Sequence, residues 1–477
     1  MLFSLIIIPF IGIISLFLIN SINMIRVFSL IIFIIEFILS LILLLIFDKS
    51  TSYFQFLSIF IFNNWEIYFG VDGISIFFIV LTTFLFPLCL LANWDNLNNF
   101  KLYAICLLII ESFLIIIFTT LNILIFFIFF ESIVVPLFIL IGLFGSGRRK
   151  VRSGFLFFFY TILGSILMFV SIVFIYNNVG TLNYQLLLDI NISEDIERKL
   201  WLGFMLAFMC KVPVMPFHLW LPEAHVEAPT GGSVILAGIL LKLGTYGILR
   251  YVLPIFVKAS VYFAPLVYVL SGISVIYASF SAIRQSDMKR IIAYTSIAHM
   301  NLVVIGLFSF NTTAIMGSIF QMLSHGLVSS ALFFCIGFLY NRVNTRIVDE
   351  LGGLVIILPN FSVFFFLFTL ANMGIPGTSN FSGEFLLFYG ILKNNILIVF
   401  YTIISLVLSG VYSLWLYNRV FFGNLKTNKI YFDLYKYEFF ILFNLFILIL
   451  FFGFYPSFIT DYMVSSVYTL IEIINFN

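Results

Sequence analysis

The chain has 477 residues, 63% hydrophobic and only 9% charged, with a formal net charge of +2. Soluble domains carry about 25% charged residues, so the composition excludes a soluble enzyme and describes a polytopic membrane protein. The small net charge carries no nucleic-acid signal, and lipids are the expected surroundings.

A crossing helix needs about 20 apolar residues. With polar breaks as dividers the sequence predicts an all-α fold of about 14 transmembrane helices. Helix one starts at Leu2, and no Lys or Arg precedes Arg26. Lacking the basic start of a signal peptide, it is expected to stay in the protein. Helix two carries Glu36, and helix three follows near residue 84. The apolar run Leu102–Phe144 divides at Thr119–Asn122 into a tight hairpin, giving helix four with Glu111 and helix five with Glu131. The basic stretch Arg148–Arg152 then reads as a topology determinant with lipid headgroups in reach. Helix seven carries Lys211 and runs into the interrupted stretch KVPVMPFHLWLPEAHVEAPTGG. Helix eight carries Lys242, helix ten His299 and helix eleven His325. Helix twelve is interrupted at ANMGIPGTSNFSGEF and carries Glu384. Helices thirteen and fourteen centre near residues 408 and 447, and the segment Ser457–Asn477 reads as an amphipathic tail at the surface.

Charge tests this count. With the N-terminus outside, loops after odd-numbered helices face inside. They hold fifteen of the 23 basic residues: Arg26, Lys101, Arg148, Arg149, Lys150, Arg152, Arg284, Lys289, Arg290, Arg342, Arg346, Arg419, Lys426, Lys429 and Lys436. The opposite loops hold six, namely Lys49, Arg198, Lys199, Arg250, Lys258 and Lys393, and Lys211 and Lys242 lie within helices. The bias follows the positive-inside rule, with both termini outside.

Pro and Gly interrupt helices seven and twelve. Irregular backbone at membrane depth persists only where it is buried in protein or lines a wet cavity. Breaks in matching places of two halves point to inverted repeats. Helices seven and twelve are five apart in the order, so the repeats are expected to be helices four to eight and nine to thirteen. The corresponding organisation is 1–101 for the first three helices, 102–250 and 251–421 for the repeats, and 422–477 for the last helix and tail.

A charge near the centre of a membrane helix costs about 2.5–3.5 kcal/mol. Eight ionisable residues nevertheless lie in apolar runs: Glu36, Glu111, Glu131, Lys211, Lys242, His299, His325 and Glu384. Glu131 is expected to pair with Lys211 if helices five and seven touch. A change in their separation would then move a proton on or off the lysine. Lys242 shares a helical face with Gly238 and Tyr246, and would pass the proton on. Glu384 follows the break in helix twelve as the second repeat's counterpart of Lys211. His299 and His325 suit relay work because imidazole titrates near neutral pH. Glu36 is expected to be peripheral, facing a neighbouring subunit.

Cys89, Cys106, Cys210 and Cys335 lie apart in apolar runs, and His218, Glu223 and His225 do not form a zinc motif. No metal or redox cofactor is expected in this chain. Glu223 and Glu227 are read as part of a gating loop at the inner mouth.

The stretch MCKVPVMPFHLWLPEAHVEAPTGGSVILAGILLKLGTYGILRY, from Met209 to Tyr251, resembles the signature of the antiporter-like membrane subunits of respiratory complex I. IAYTSIAHMN and MGIPGTSNFSGEF fit the same family. The resemblance covers most of the chain, most strongly from Glu111 to Tyr417. Glu384 stands where the related subunits 2 and 5 typically carry lysine, and the sequence ends soon after helix fourteen, where subunit 5 would be expected to extend into a long lateral helix. The resemblance implies proton transfer through Glu131, Lys211, Lys242 and Glu384, with His299, His325 and Glu111 as relay groups. It also implies membrane-arm partners that include subunits 2 and 5. NADH, FMN, Fe–S clusters and quinone would be held by partner subunits, making this chain part of an enzyme without a redox centre of its own. The 64 Phe residues and abundant Ile, read as drift in an AT-rich genome, suggest a mitochondrial inner-membrane protein, with a bacterial plasma membrane as the alternative. The competing functional readings are a subunit of a multi-subunit cation/proton antiporter and a passive scaffold.

Overall fold

The structure is a computed structural model that describes residues 1–62, 65–94, 99–190, 192–426 and 431–476. Lys429, counted above among the inner charges, and Asn477 lie outside the described residues. Among the described residues, eleven helices are long and apolar enough to cross a membrane. Leu2–Leu18 is a shorter apolar helix. Two further crossings are assembled from broken pairs, Glu194–Lys211 with Trp220–Glu227 and Pro359–Asn372 with Ser379–Asn394. Together these are the fourteen crossings in the expected order.

The tight hairpin falls where expected. Helix four ends at Thr119 and helix five starts at Ile123. The Asn122 side chain accepts from the Leu124 and Ile125 amides, a helix cap of about 0.5–2 kcal/mol. Helix five then breaks into Ile123–Ser132 and Val134–Phe144. Pro136 explains the break, because a proline ring clashes with the carbonyl four residues earlier, here Ser132.

Helices are not the whole fold. β1 (Gln55–Phe62) and β2 (Trp65–Val71) form an antiparallel hairpin between helices two and three, with Ser58 opposite Phe69 and Ile59 opposite Tyr68. Dense aromatic and β-branched residues in a short inter-helix segment favour strand over helix.

Helix eight, Thr230–Ile255, contains two π turns, Leu236–Leu240 and Ile248–Val252. Such turns occur mostly as single bulges at functional sites. Lys242 lies just after the first and Arg250 within the second.

By contacts the chain forms two compact units. One comprises 1–211, 243–264 and 461–477; the other comprises 212–242 and 265–460. In the first, Asp72 and Arg250 form a buried ion pair at 2.6 Å. Arg250 therefore belongs to the helix interior rather than to a loop, a correction to its place in the charge count. The tail helix Ser457–Phe476 packs one side of its first-unit portion inward. Tyr462 donates to the Leu44 carbonyl, and Ser466 accepts from the Gly73 amide.

In the second unit, Val275, Leu302, Ile305, Leu387 and Ile398 pack in one apolar cluster. Helices eleven and twelve approach closely. A Cβ on Gly383 would lie 3.0 Å from the Gln321 backbone, so only glycine permits this contact.

Candidate functional site

The second unit gathers four of the predicted ionisable residues into a continuous series. Lys242, His325, His299 and Glu384 are all almost fully buried. The Lys242 ammonium donates to the Ala237 carbonyl and lies 2.9 Å from His325 Nδ1. Ala237 belongs to the π turn, whose wider ring presents its carbonyl to a side chain five residues on. The His325 and His299 rings meet edge to face at 5.4 Å between centroids. His299 Nε2 lies 3.6 Å from Glu384 Oε1. Gln321 Nε2 donates to the same oxygen at 3.4 Å and is itself held by Ser324.

His325 Nε2, His299 Nδ1 and Glu384 Oε2 have no hydrogen-bond partner in the protein. They are the atoms through which the series can exchange protons. The gaps within the series are direct contacts or ones that a single water can bridge.

The break in helix twelve positions Glu384. Gly374 adopts φ +71°, and a Cβ there would sit 2.5 Å from Glu384 Oε2. The carboxyl thus reaches back toward the break from the helix that follows it. Lys211 differs, since it is the last residue before its own break. There the carbonyl end of the helix favours a cation.

The backbone of the first break is satisfied by the second unit's own side chains. Ser274 accepts from the Met215 amide at 2.8 Å, and Asn301 donates to the Pro213 carbonyl at 3.4 Å. Lys289 donates to the Ala228 carbonyl at 2.7 Å, and Arg346 to that of Val226. Arg290 pairs with Glu223 at 2.6 Å. The segment read as a gating loop is therefore clamped by three basic residues, and Lys289 lies buried in the first turn of helix ten rather than in a loop.

In the first unit, Lys211 and Glu131 are close enough for their charges to attract, yet they form no ion pair. Lys211 donates instead to the Phe130 carbonyl at 2.8 Å and lies 3.8 Å from the centre of the Phe130 ring. Successive residues on a helix point about 100° apart. Glu131 consequently faces a groove of about 510 Å³ that Phe127, Ser132, Ser165 and Phe169 help to line. The expected direct pair is thus held apart in this conformation by one step of helix rotation.

Glu36 is a correction. It is completely buried and faces Glu111 rather than a neighbouring subunit. Glu111 is likewise completely buried and belongs to the first unit.

One residue, weighed above only as a zinc ligand, has surroundings that the sequence did not show. His225 is completely buried, stacks on Phe333 at 4.6 Å, and has no hydrogen-bond partner for either ring nitrogen. Its charged form would be repelled by both Lys289 and Lys242. A buried histidine beside a helix break was the available signal.

The family described as NADH:quinone oxidoreductase/Mrp antiporter, transmembrane, matches residues 120–410. An Arabidopsis thaliana protein named NADH-ubiquinone oxidoreductase chain 4 is 49% identical over 477 residues, covering 98% of this chain and 96% of that protein. The chain belongs to the NADH-ubiquinone oxidoreductase chain 4 family. Among solved structures, respiratory complex I from Thermus thermophilus with bound NADH contains a chain of the same fold. Its TM-score is 0.90 at 24% identity, covering 99% of this chain and 100% of that one. A chain of the Mrp complex from Dietzia sp. shares the fold as well, with TM-score 0.87, 17% identity and 99% coverage of both. The multi-span, antiporter-like architecture expected for the chain 4 family is therefore the architecture of this member.

Proposed function

We propose that this chain translocates protons in the membrane arm of an NADH:ubiquinone oxidoreductase. The observation that carries the reading is the buried series Lys242–His325–His299–Glu384, built into a member of the chain 4 family. A scaffold would fill these positions with apolar side chains, because buried ion pairs add little stability over such replacements.

In the second unit, Lys242 passes a proton to His325 Nδ1, His325 and His299 relay it, and Glu384 releases it. His225 and Lys289 stand at the other end as the approach to Lys242. In the first unit, Lys211 binds a proton while held on the Phe130 carbonyl, and Glu131 meets it when helix five turns. The redox step, with its NADH, FMN, Fe–S clusters and quinone, belongs to partner subunits, and this chain contributes none of those groups. Its neighbours are other membrane-arm subunits, including subunits 2 and 5, and lipid. The setting is the mitochondrial inner membrane, which the names and plant sources of the relatives support. The multi-subunit antiporter reading shares the fold, but the Mrp complex chain is 17% identical against 49% for the chain 4 relative.

Native electrophoresis of the source membranes, stained for NADH dehydrogenase activity, tests the assignment. The chain is expected in the active, high-mass band by mass spectrometry. Migration only in a smaller, inactive assembly would sink the proposal.

A further inference from the structure

Two carboxyl groups lie buried together outside the series described above. Glu36 on helix two and Glu111 on helix four are both 0% exposed. Their carboxyls face each other within hydrogen-bonding reach. No other protein group hydrogen-bonds to any of the four oxygens. Among the described residues, no Lys, Arg or His forms an ion pair with either.

The surroundings supply little else. Cys89 on helix three lies within electrostatic range of Glu111. One turn beyond Glu36, Ser40 and Thr83 bond to each other at 2.7 Å. Ser112, next to Glu111, donates to the Ile109 carbonyl. Helix one meets helix four through Gly12, beside Leu108. The nearby hydroxyls are thus already committed.

Ionising both carboxyls would place two like charges together in an apolar interior. Each buried charge is costly in such an interior even before repulsion is counted. One proton between them removes the repulsion and makes a charge-assisted hydrogen bond. A hard metal cation is a poor occupant, because such ions take about six or more oxygen ligands.

We infer that Glu36 and Glu111 form a shared-proton site, a proton-binding pair in the first unit distinct from Lys211 and from the histidine series. In its resting form both carboxyls are protonated and one donates to the other, which leaves no charge in the apolar interior. Release of one proton leaves a single proton shared between them, and uptake of a proton from the aqueous phase restores the neutral form. No other atom changes partner. The inference does not depend on the chain's part in pumping.

Infrared difference spectroscopy on the assembled complex, in light and heavy water, tests it. The native complex is expected to show a hydrogen-bonded protonated-carboxyl band that shifts on deuteration. Glu36→Gln and Glu111→Gln, which keep shape and hydrogen-bonding capacity, should each shift that band, and the double variant should lose it. Glu36→Lys, which sets a cation against Glu111, should replace it with carboxylate bands. The idea is overturned if the band persists unshifted in both single glutamine variants. It is equally overturned if the native pair shows only carboxylate bands that respond to exchanging sodium for choline. If the double variant fails to assemble, the two single variants decide the question.

Discussion

His325 turns Nδ1 toward the Lys242 ammonium at 2.9 Å, so the central lysine of helix eight has a titratable neighbour in direct contact. Lys242→Ala removes the donor to both His325 and the Ala237 carbonyl. Proton-transfer groups contribute about 10²–10⁴-fold to rate, and proton flux should fall by that order in proteoliposomes driven by NADH. The complex should still assemble, since alanine leaves no unpaired charge. Unchanged flux per NADH oxidised would remove Lys242 from the path.

Glu384→Gln separates charge from shape. Glutamine can keep a hydrogen bond to Gln321 but cannot release a proton. Assembly should be normal on native gels while proton flux is lost. Retained flux in an assembled Glu384→Gln complex would favour a structural role for the carboxylate.

Gly374→Ala tests how the break holds Glu384. A left-handed conformation costs a non-glycine residue about 1–2 kcal/mol, and the added methyl would meet Glu384 Oε2. Pumping should fall with at most modest loss of assembled complex. Gly410→Ala is the control, because its Cβ would meet only the end of the Met373 side chain. Equal effects of the two substitutions would refute the positioning argument.

Asp72, at the start of helix three and outside the spanning segment, predicts a pH dependence. Burial opposes its ionised form, but the Arg250 guanidinium and hydrogen bonds from Arg250 and Ser75 outweigh it, so its carboxyl is held below the usual range. The folded state therefore binds this proton less readily than the unfolded state. The stabilisation is complete above the ordinary aspartate value of about 3.9, and is lost as pH falls through the lower folded value. Breaking a buried pair costs about 3–5 kcal/mol. Thermal unfolding of complexes carrying Asp72→Asn should show a deficit that is constant between about pH 5 and 8 and narrows only in stronger acid. A deficit that narrows near neutrality would contradict the assigned ion pair.

Much of this architecture is legible in the residues themselves. Apolar length and charge sidedness are local properties, so the fourteen crossings and the two breaks could be read directly. The buried ionisable side chains stood out for the same reason, as costs a membrane helix does not bear idly. The partners of those side chains were less accessible. No spacing links Glu36 to Glu111, which meet only once helices two and four pack. The π turns around Lys242 leave the hydrophobic pattern of helix eight unbroken, and only the backbone reveals that Ala237 offers its carbonyl. The separation of Glu131 from Lys211 turns on a rotation of one residue at Phe130, finer than any periodicity resolves. The β1–β2 hairpin was hidden because the same aromatic and branched residues fill the helices.

Lys211 and Lys242 both rest on main-chain oxygens, Lys211 on that of Phe130 and Lys242 on that of Ala237. A peptide oxygen survives every substitution and can never become a donor. Exchanging the members of the Glu131 and Lys211 couple would therefore not be a mirror image, because a carboxylate at position 211 would confront a lone pair instead of receiving a proton. The electrical polarity of these two positions is written into the polypeptide itself, and compensating mutation elsewhere cannot reverse it.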